Sequence, residues 1–434
     1  MKTGQRFDVA VAFLSSARFV TVLTTAAVGT ATCAFALKQT IGWAGLIGIL
    51  GGLLALFAIV LIMRRGEIEW SGLLPISLLV FVGWASVSVF FSQYQWATLA
   101  SLLYFLAITV MGVSIALLRD LIQIVRAFGD VLRAVLLASL VVEIFSGLLI
   151  DSGIRFLDVA GNLDHLGPIQ GILGSRNQLG IVAVVALITF ATELRTRSVR
   201  RGVSIGSLVA GVLALGLSQS PVAIGAAVLV AIATLALYGL RRVASENRRF
   251  WQFSLLGAVV IAAVLAWIFR TPIIQSLAAS NDLSYRLTLW RRIFGLMPGH
   301  SLEGWGWIGL WRSELAPYLL FGTMKDGVPN SAANAYFDVY FQLGFIGILT
   351  FLLLFTLAFV RSWLLAVQRR SIVFAWPALV LASLITVSLA ESAVLVDFGW
   401  LTLVVCTVKA SRELSWRQAF TAAPSVADLP HEPR

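Results

Sequence analysis

Three short stretches of the 434-residue chain hold side chains suited to anion and glycan chemistry. The first is Gly174-Ser175-Arg176-Asn177-Gln178. A guanidinium presents a planar fork that matches two phosphate oxygens at once, which an ammonium does not. The bland role for Arg176 is to snorkel to lipid headgroups, and the amides of Asn177 and Gln178 beside it favour a site. The second is Tyr285-Arg286-Leu287-Thr288-Leu289-Trp290, followed by Gly304-Trp305-Gly306-Trp307. Here an arginine lies near tryptophans, and the faces of Trp290 and Trp305 suit stacking on sugar rings. The glycines predict a tight backbone turn that leaves those faces exposed. The third stretch runs from Asn334 to Gln342. Asn334, Asp338 and Gln342 are spaced i, i+4, i+8, so on a helix they form one polar stripe. Facing lipid, that stripe would be costly. It must face the bundle, either bonding to other helices or lining an aqueous cavity.

The surrounding sequence says what kind of element must hold these groups. Hydrophobic residues make up 59% and charged residues 12% of the chain, against about 45–50% and about 25% in a soluble domain. The surplus is arranged in long apolar runs, and a helix is the element that satisfies its own backbone in lipid. The expected fold is an all-α polytopic transmembrane bundle of about 12 spans. They fall near 19–37, 41–63, 71–92, 96–118, 134–150, 171–192, 202–218, 221–240, 251–269, 332–360, 373–391 and 397–409. The first run, behind Lys2, Arg6 and Arg18, also has the outline of a cleaved signal peptide. A second span follows almost at once, so a retained helix is the simpler reading. One transmembrane domain is expected over 1–410, with a large extracytoplasmic cap loop at 270–331, between spans 9 and 10. A short disordered cytoplasmic tail is expected at 411–434.

The net charge is +11. It does not point to nucleic acid, because the basic residues collect in alternate short connections between apolar runs. Arg64 and Arg65, Arg195 to Arg201, Arg241 to Arg249 and Arg361 to Arg370 belong to that set. By the positive-inside rule both termini are cytoplasmic and the 270–331 loop is outside. That loop is not of low complexity: it carries Trp290, Trp305, Trp307 and Trp311 among Arg286, Arg291, Arg292 and Arg312, and 285–296 reads as an amphipathic helix. It is either an interfacial segment anchored by tryptophans or a cap over a site at the membrane surface, and the cap is favoured. Cys33 and Cys406 fall inside apolar runs, and His165, His300 and His431 are scattered, so no metal site is expected. Weaker candidates are Glu143, expected to pair with an arginine or stay neutral, Glu391 and Asp397 around a short outer turn, and the turn Ser218-Gln219-Ser220-Pro221.

Taken in order, the stretch 174–180, the turn 218–221, Arg286 to Trp290, Gly304-Trp305-Gly306, and 334–347 with its Gln342-Leu343-Gly344-Phe345-Ile346-Gly347 resemble the O-antigen ligase and polymerase superfamily of bacterial membrane glycosyltransferases. The resemblance covers roughly 160–360. It implies transfer or polymerisation of glycans linked to a polyprenyl diphosphate, such as undecaprenyl diphosphate, at the outer face of the bacterial cytoplasmic membrane. Such chemistry serves surface polysaccharide assembly in the cell envelope, with a glycan or lipid as acceptor. It implies no cofactor and no metal, an inverting reaction, and an arginine at Arg286 that binds the diphosphate; Arg176 matches a second basic position. Trp290, Trp305, Asn177 and Asn334 are then candidates for substrate binding. In the family a histidine usually precedes the asparagine that matches Asn334 and activates the acceptor hydroxyl. Here that position is Ala333, and the outer turn has Gln219 and Pro221 where ligases tend to carry an arginine. Three expectations stay open: a polymerase-like branch, a base supplied by His300, His165 or Asp338, or a binder of lipid-linked glycan without turnover. A transporter or flippase for such a lipid is the competing class.

Overall fold

The computed structural model describes residues 13–14, 16–66, 75–150, 152–159, 161, 163, 167–244, 246–269, 280–322 and 328–413. His165 and residues 414–434 of the expected tail lie outside these residues, as do 270–279 and 323–327 of the cap loop. The described chain is helical. The helices are α1 (Ala17–Thr32), α2 (Ala34–Met63), α3 (Ile76–Phe91), α4 (Gln95–Leu118), α5 (Leu121–Ile144), α6 (Arg176–Thr196) and α7 (Arg201–Ser218). They continue as α8 (Pro221–Arg242), α9 (Arg248–Ile268), α10 (Ser280–Leu296), α11 (Ala335–Gln368), α12 (Ala375–Ser388) and α13 (Asp397–Glu413). No strand occurs among the described residues beyond an isolated bridge, Ile154 to Val159.

A helix lies at each of the twelve expected positions, and α10 adds one inside the cap loop. Among the described residues, seven helices are long and apolar enough to cross a membrane: α2, α4, α5 with its continuation to Ile150, α6, α7, α8 and α11. The chain is a multi-pass membrane protein. Two of the shorter helices, α12 and α13, are buried on nearly every side. Protein surrounds them instead of lipid, so they tolerate Ser383, Ser388, Thr402, Thr407 and Lys409. By contrast α7 and α8 leave Val209, Val212, Leu229 and Leu235 exposed, as a lipid-facing surface requires.

The fifth span departs from expectation. It was expected near 134–150, yet the helix begins at Leu121 behind a capping box of Asp120 and Gln123. Arg126, Asp130 and Arg133 therefore stand on a helix face and not in a loop. Arg133 forms a two-pronged ion pair with the fully buried Glu193 of α6, at 2.6 and 3.3 Å. At the same end of the bundle other arginines cap helix C-termini. Arg241 donates to the carbonyl of Ala366 at 2.7 Å, and Arg412 to that of Leu117 at 3.4 Å. Those carbonyls have no partner within their own helices and carry the negative end of the dipole.

Helix α11 is broken at Gly344, whose φ is 66° and ψ −163°. The cap loop fills the break. Trp305 N donates to Phe341 O at 3.1 Å and Gly306 N to Gln342 O at 2.8 Å. Phe345 N donates to Ser301 O at 2.8 Å and Ile346 N to Leu302 O at 3.3 Å. From α3, the Trp84 indole donates to Leu343 O at 2.9 Å. A Cβ at Gly344 would strike the Leu302 carbonyl, and one at Gly304 would strike the backbone of Gln342 to Gly344. The two glycine motifs read from the sequence are thus two halves of one joint.

Candidate functional site

At the end of the bundle opposite the capping arginines, five elements meet around Arg286. Ser220, the N-cap of α8, donates to Asn177 Oδ1 at 2.7 Å. Asn177, in the first turn of α6, donates from Nδ2 to Glu391 Oε1 at 2.6 Å. Arg286 of α10 donates from Nη2 to the same oxygen at 3.2 Å. Arg286 Nη1 donates to two backbone carbonyls, Ala333 O at 2.7 Å and Ala390 O. Ala333 precedes Asn334, the N-cap of α11, whose side chain accepts from Tyr336 N and Phe337 N and donates to Leu389 O at 2.8 Å. Ala390 and Glu391 follow the end of α12.

This arrangement is built from helix ends. The N-termini of α6, α8 and α11 all finish at the cluster, capped by Ser175, Ser220 and Asn334, and each carries a partial positive charge of about half a unit. Gly180 lets α8 come close, because a Cβ there would strike that of Ala223. Glu143 holds the approach to α6: its Oε1 accepts from Gln170 N at 2.9 Å and Gly171 N at 2.8 Å. Its partners in these two bonds are backbone amides and not the arginine that was one of the two expectations for it. Arg176 opens α6 immediately before Asn177 and is half-buried.

Arg286 is anchored on one side only. Both Nη1 hydrogens serve carbonyls, while Nε makes no hydrogen bond to a described residue. An immobile guanidinium with donors in reserve can take an oxyanion without losing its place. The side chains of Arg286 and Glu391 are 14% and 20% exposed, so the pair is reachable yet partly shielded. Shielding raises the strength of a charge-assisted bond.

The remaining candidates sit elsewhere or face inward. Trp290 borders the cluster, with its indole N–H on Ala332 O at 2.9 Å and its ring 4.9 Å from that of Phe337. Trp305 is fixed by its N–H on Leu296 O at 3.2 Å and stacks on the His300 ring at 4.0 Å. It is half-buried and Trp307 is buried, so the glycines between them dock the loop and do not display open aromatic faces. His300 follows α10 at the end remote from Arg286. Ten residues of helix separate Arg286 from Leu296, about 15 Å. His300 contacts Glu303 at 3.5 Å.

Asp338 and Gln342 are fully buried. Asp338 accepts from the Trp311 indole at 2.7 Å, from Gln342 Nε2 at 2.8 Å and from Ala332 N at 3.3 Å. Gln342 Oε1 accepts from Ile308 N at 2.8 Å and Gly309 N at 2.9 Å. Asp338 and Gln342 face inward, but they bond to groups of the cap loop and to each other instead of to another helix, while Asn334 reaches Leu389 O at the end of α12. Sequence reasoning ranked Glu391 and Ser220 low. Their one signal was a carboxylate and a hydroxyl between apolar runs on the same expected side.

Beyond the turn that joins Glu391 to α13, a cavity of about 870 Å³ lies among α2, α4, α13 and the cap loop. Its walls are apolar, with Ile47, Leu54, Ile108 and Trp400 among them. Its polar groups are the Lys38–Asp397 ion pair at 3.3 Å, Tyr104 donating to Asp397, and Arg312 with Glu314 from the loop. At the nearby α3–α4 turn, burial pushes the Tyr94 phenol up to about 12 and that of Tyr318, its hydrogen-bond partner, well above the usual range. Neither phenol is a base at neutral pH.

No curated protein matches the chain. A family model described as O-antigen ligase matches residues 206–352, about a third of the chain. The matched stretch runs from α7 through the cap loop to the middle of α11. It contains Ser220, Arg286, Gly304, Asn334 and Gly344, and leaves Arg176, Asn177 and Glu391 outside. The order of motifs and this match agree: across residues 206–352 the chain is similar to the O-antigen ligase family.

Proposed function

We propose that this protein transfers or polymerises a glycan carried on a polyprenyl diphosphate, at the outer face of the bacterial cytoplasmic membrane, for surface polysaccharide assembly. The observation that carries the reading is Arg286, locked by two backbone carbonyls and ringed by three helix N-termini. When the sugar C1 leaves its diphosphate, negative charge grows on the leaving oxygens. Fixed guanidinium and amide dipoles stabilise that charge without having to reorganise. Arg176 supplies a second cation at the same helix ends, and Trp290 offers a ring edge beside the anion site. The apolar cavity suits part of a lipid chain, at the upper end of the about 300–1,000 Å³ usual for ligand pockets.

Asp338 and His300 take supporting roles in this reading. Asp338 anchors the cap loop on α11, and His300 packs the joint near Gly304. The polar groups gather at one end of the bundle, which suits chemistry at one surface better than alternating access. Deleting the gene in its host tests the proposal. Shortened or absent surface glycan with accumulated lipid-diphosphate-linked intermediates is the expected result. An unchanged glycan profile with no accumulation sinks it.

A further inference from the structure

We propose that Glu391 is the proton acceptor of the site, held by Arg286 until a diphosphate takes its place on the guanidinium. The inference rests on the glycan-transfer reading and deepens it. Its ground is the chain of contacts Ser220–Asn177–Glu391–Arg286. Among the described residues Glu391 is the acidic side chain that touches Arg286. Its contact with Arg286 is through the side chain alone, which can swing away while Ala390 O keeps its hold on the guanidinium. Arg286 stays in place without it, because Ala333 O and Ala390 O hold Nη1.

Two anions then compete for the exposed edge of one cation. The diphosphate carries more charge than a carboxylate and gains the N-termini of α6, α8 and α11 as well. It displaces Glu391, which stays tethered to Asn177 Nδ2. A carboxylate that loses a guanidinium partner and meets a neighbouring anion becomes a stronger base. The exchange therefore arms the base only when donor is bound. The step balances without a further reactant. The acceptor oxygen forms a bond to the sugar C1, and its proton passes to a Glu391 carboxylate oxygen. The bond from C1 to the diphosphate oxygen breaks, and the diphosphate leaves with the electron pair.

The experiment uses a host deleted for the gene and complemented with the full-length chain. Surface glycan and lipid-linked intermediates are measured in cells. Binding of a geranylgeranyl-diphosphate-linked disaccharide is measured on the purified protein in nanodiscs. Glu391→Gln is expected to lower glycan formation by about 10²–10⁴-fold, the usual worth of a general base, with probe binding as tight as wild type or tighter. Glu391→Asp, which keeps the carboxylate one methylene further back, should fall between. Glycan formation by Glu391→Gln at the wild-type level overturns the proposal. So does loss of probe binding in step with loss of glycan, since that marks a structural counter-ion. If Glu391→Gln does not accumulate in membranes, Glu391→Asp decides. Reduced formation with intact binding supports the base, and unreduced formation or lost binding refutes it. A deletion host with normal glycan removes the transferase reading itself, and this inference with it.

Discussion

Arg286 gives two of its five N–H groups to the protein's own backbone. A lysine in its place keeps the charge but has no second edge: it cannot hold both carbonyls and still meet an anion in a two-pronged way. Arg286→Lys is therefore expected to lower glycan formation about 10- to 100-fold, the equivalent of about 1.5–3 kcal/mol for a charged hydrogen bond. Quantitative surface-glycan analysis in the complemented deletion host checks this, and wild-type output from a well-expressed variant contradicts it. Asp338 behaves differently. Its three donors all point inward, so Asp338→Asn sets an amide N–H₂ against at least one of them. A loss of about 1–3 kcal/mol of stability is expected, read as a lower unfolding temperature in detergent. Properly folded Asp338→Asn protein should keep most of its turnover; a folded but inactive variant would return Asp338 to the chemistry. Arg286 was legible in the sequence because an arginine beside tryptophan in an outer loop is chemically conspicuous. Glu391 was not, because its meaning depends on a partner 105 positions away.

The joint between the cap loop and α11 is the most demanding element. An alanine at Gly344 must adopt φ 66° and ψ −163°, a region essentially reserved to glycine that costs about 1–3 kcal/mol, and drives its methyl into Leu302 O. Gly344→Ala and Gly304→Ala are each expected to destabilise the chain by at least that amount. The check is faster proteolysis of the loop in inverted or intact membranes; proteolysis unchanged from wild type in both variants refutes the joint. The glycines were visible in the sequence, but their purpose was misread as a turn beside open tryptophans. Pairing Trp305 N with Phe341 O is a long-range fact, and local propensity does not contain it. The early start of α5 had a local trace. Gln123, Arg126, Asp130 and Arg133 recur at three- and four-residue spacing on one face, yet their polarity argued against a span. Long apolar helices such as α2 and α11 were plain, because lipid contact imposes composition directly.

At the scale of the whole molecule, the two ends of the bundle differ in chemistry. One end caps helix C-termini with Arg241, Arg412 and their neighbours. The other gathers helix N-termini around Arg286 and Glu391. We propose, by the positive-inside rule, that the basic end faces the cytoplasm. Ser313, exposed in the cap loop, then faces outward. A Ser313→Cys chain lacking Cys33 and Cys406 should react with a membrane-impermeant maleimide in intact cells. Reaction only after lysis reverses the orientation.

The break in α11 also constrains how the protein is made. The carbonyls of Phe341, Gln342 and Leu343 and the amides of Phe345 and Ile346 take their partners from Trp305, Gly306, Trp84, Ser301 and Leu302. Hydrocarbon offers none. Those partners precede α11 in the chain, so the ribosome delivers the loop before the helix that needs it. Biosynthesis thus runs in the order that the hydrogen bonds demand. A nascent chain with residues 301–306 deleted would insert α11 with four bare polar groups, Trp84 still serving Leu343, and should be cleared by membrane proteases before it could reach a substrate.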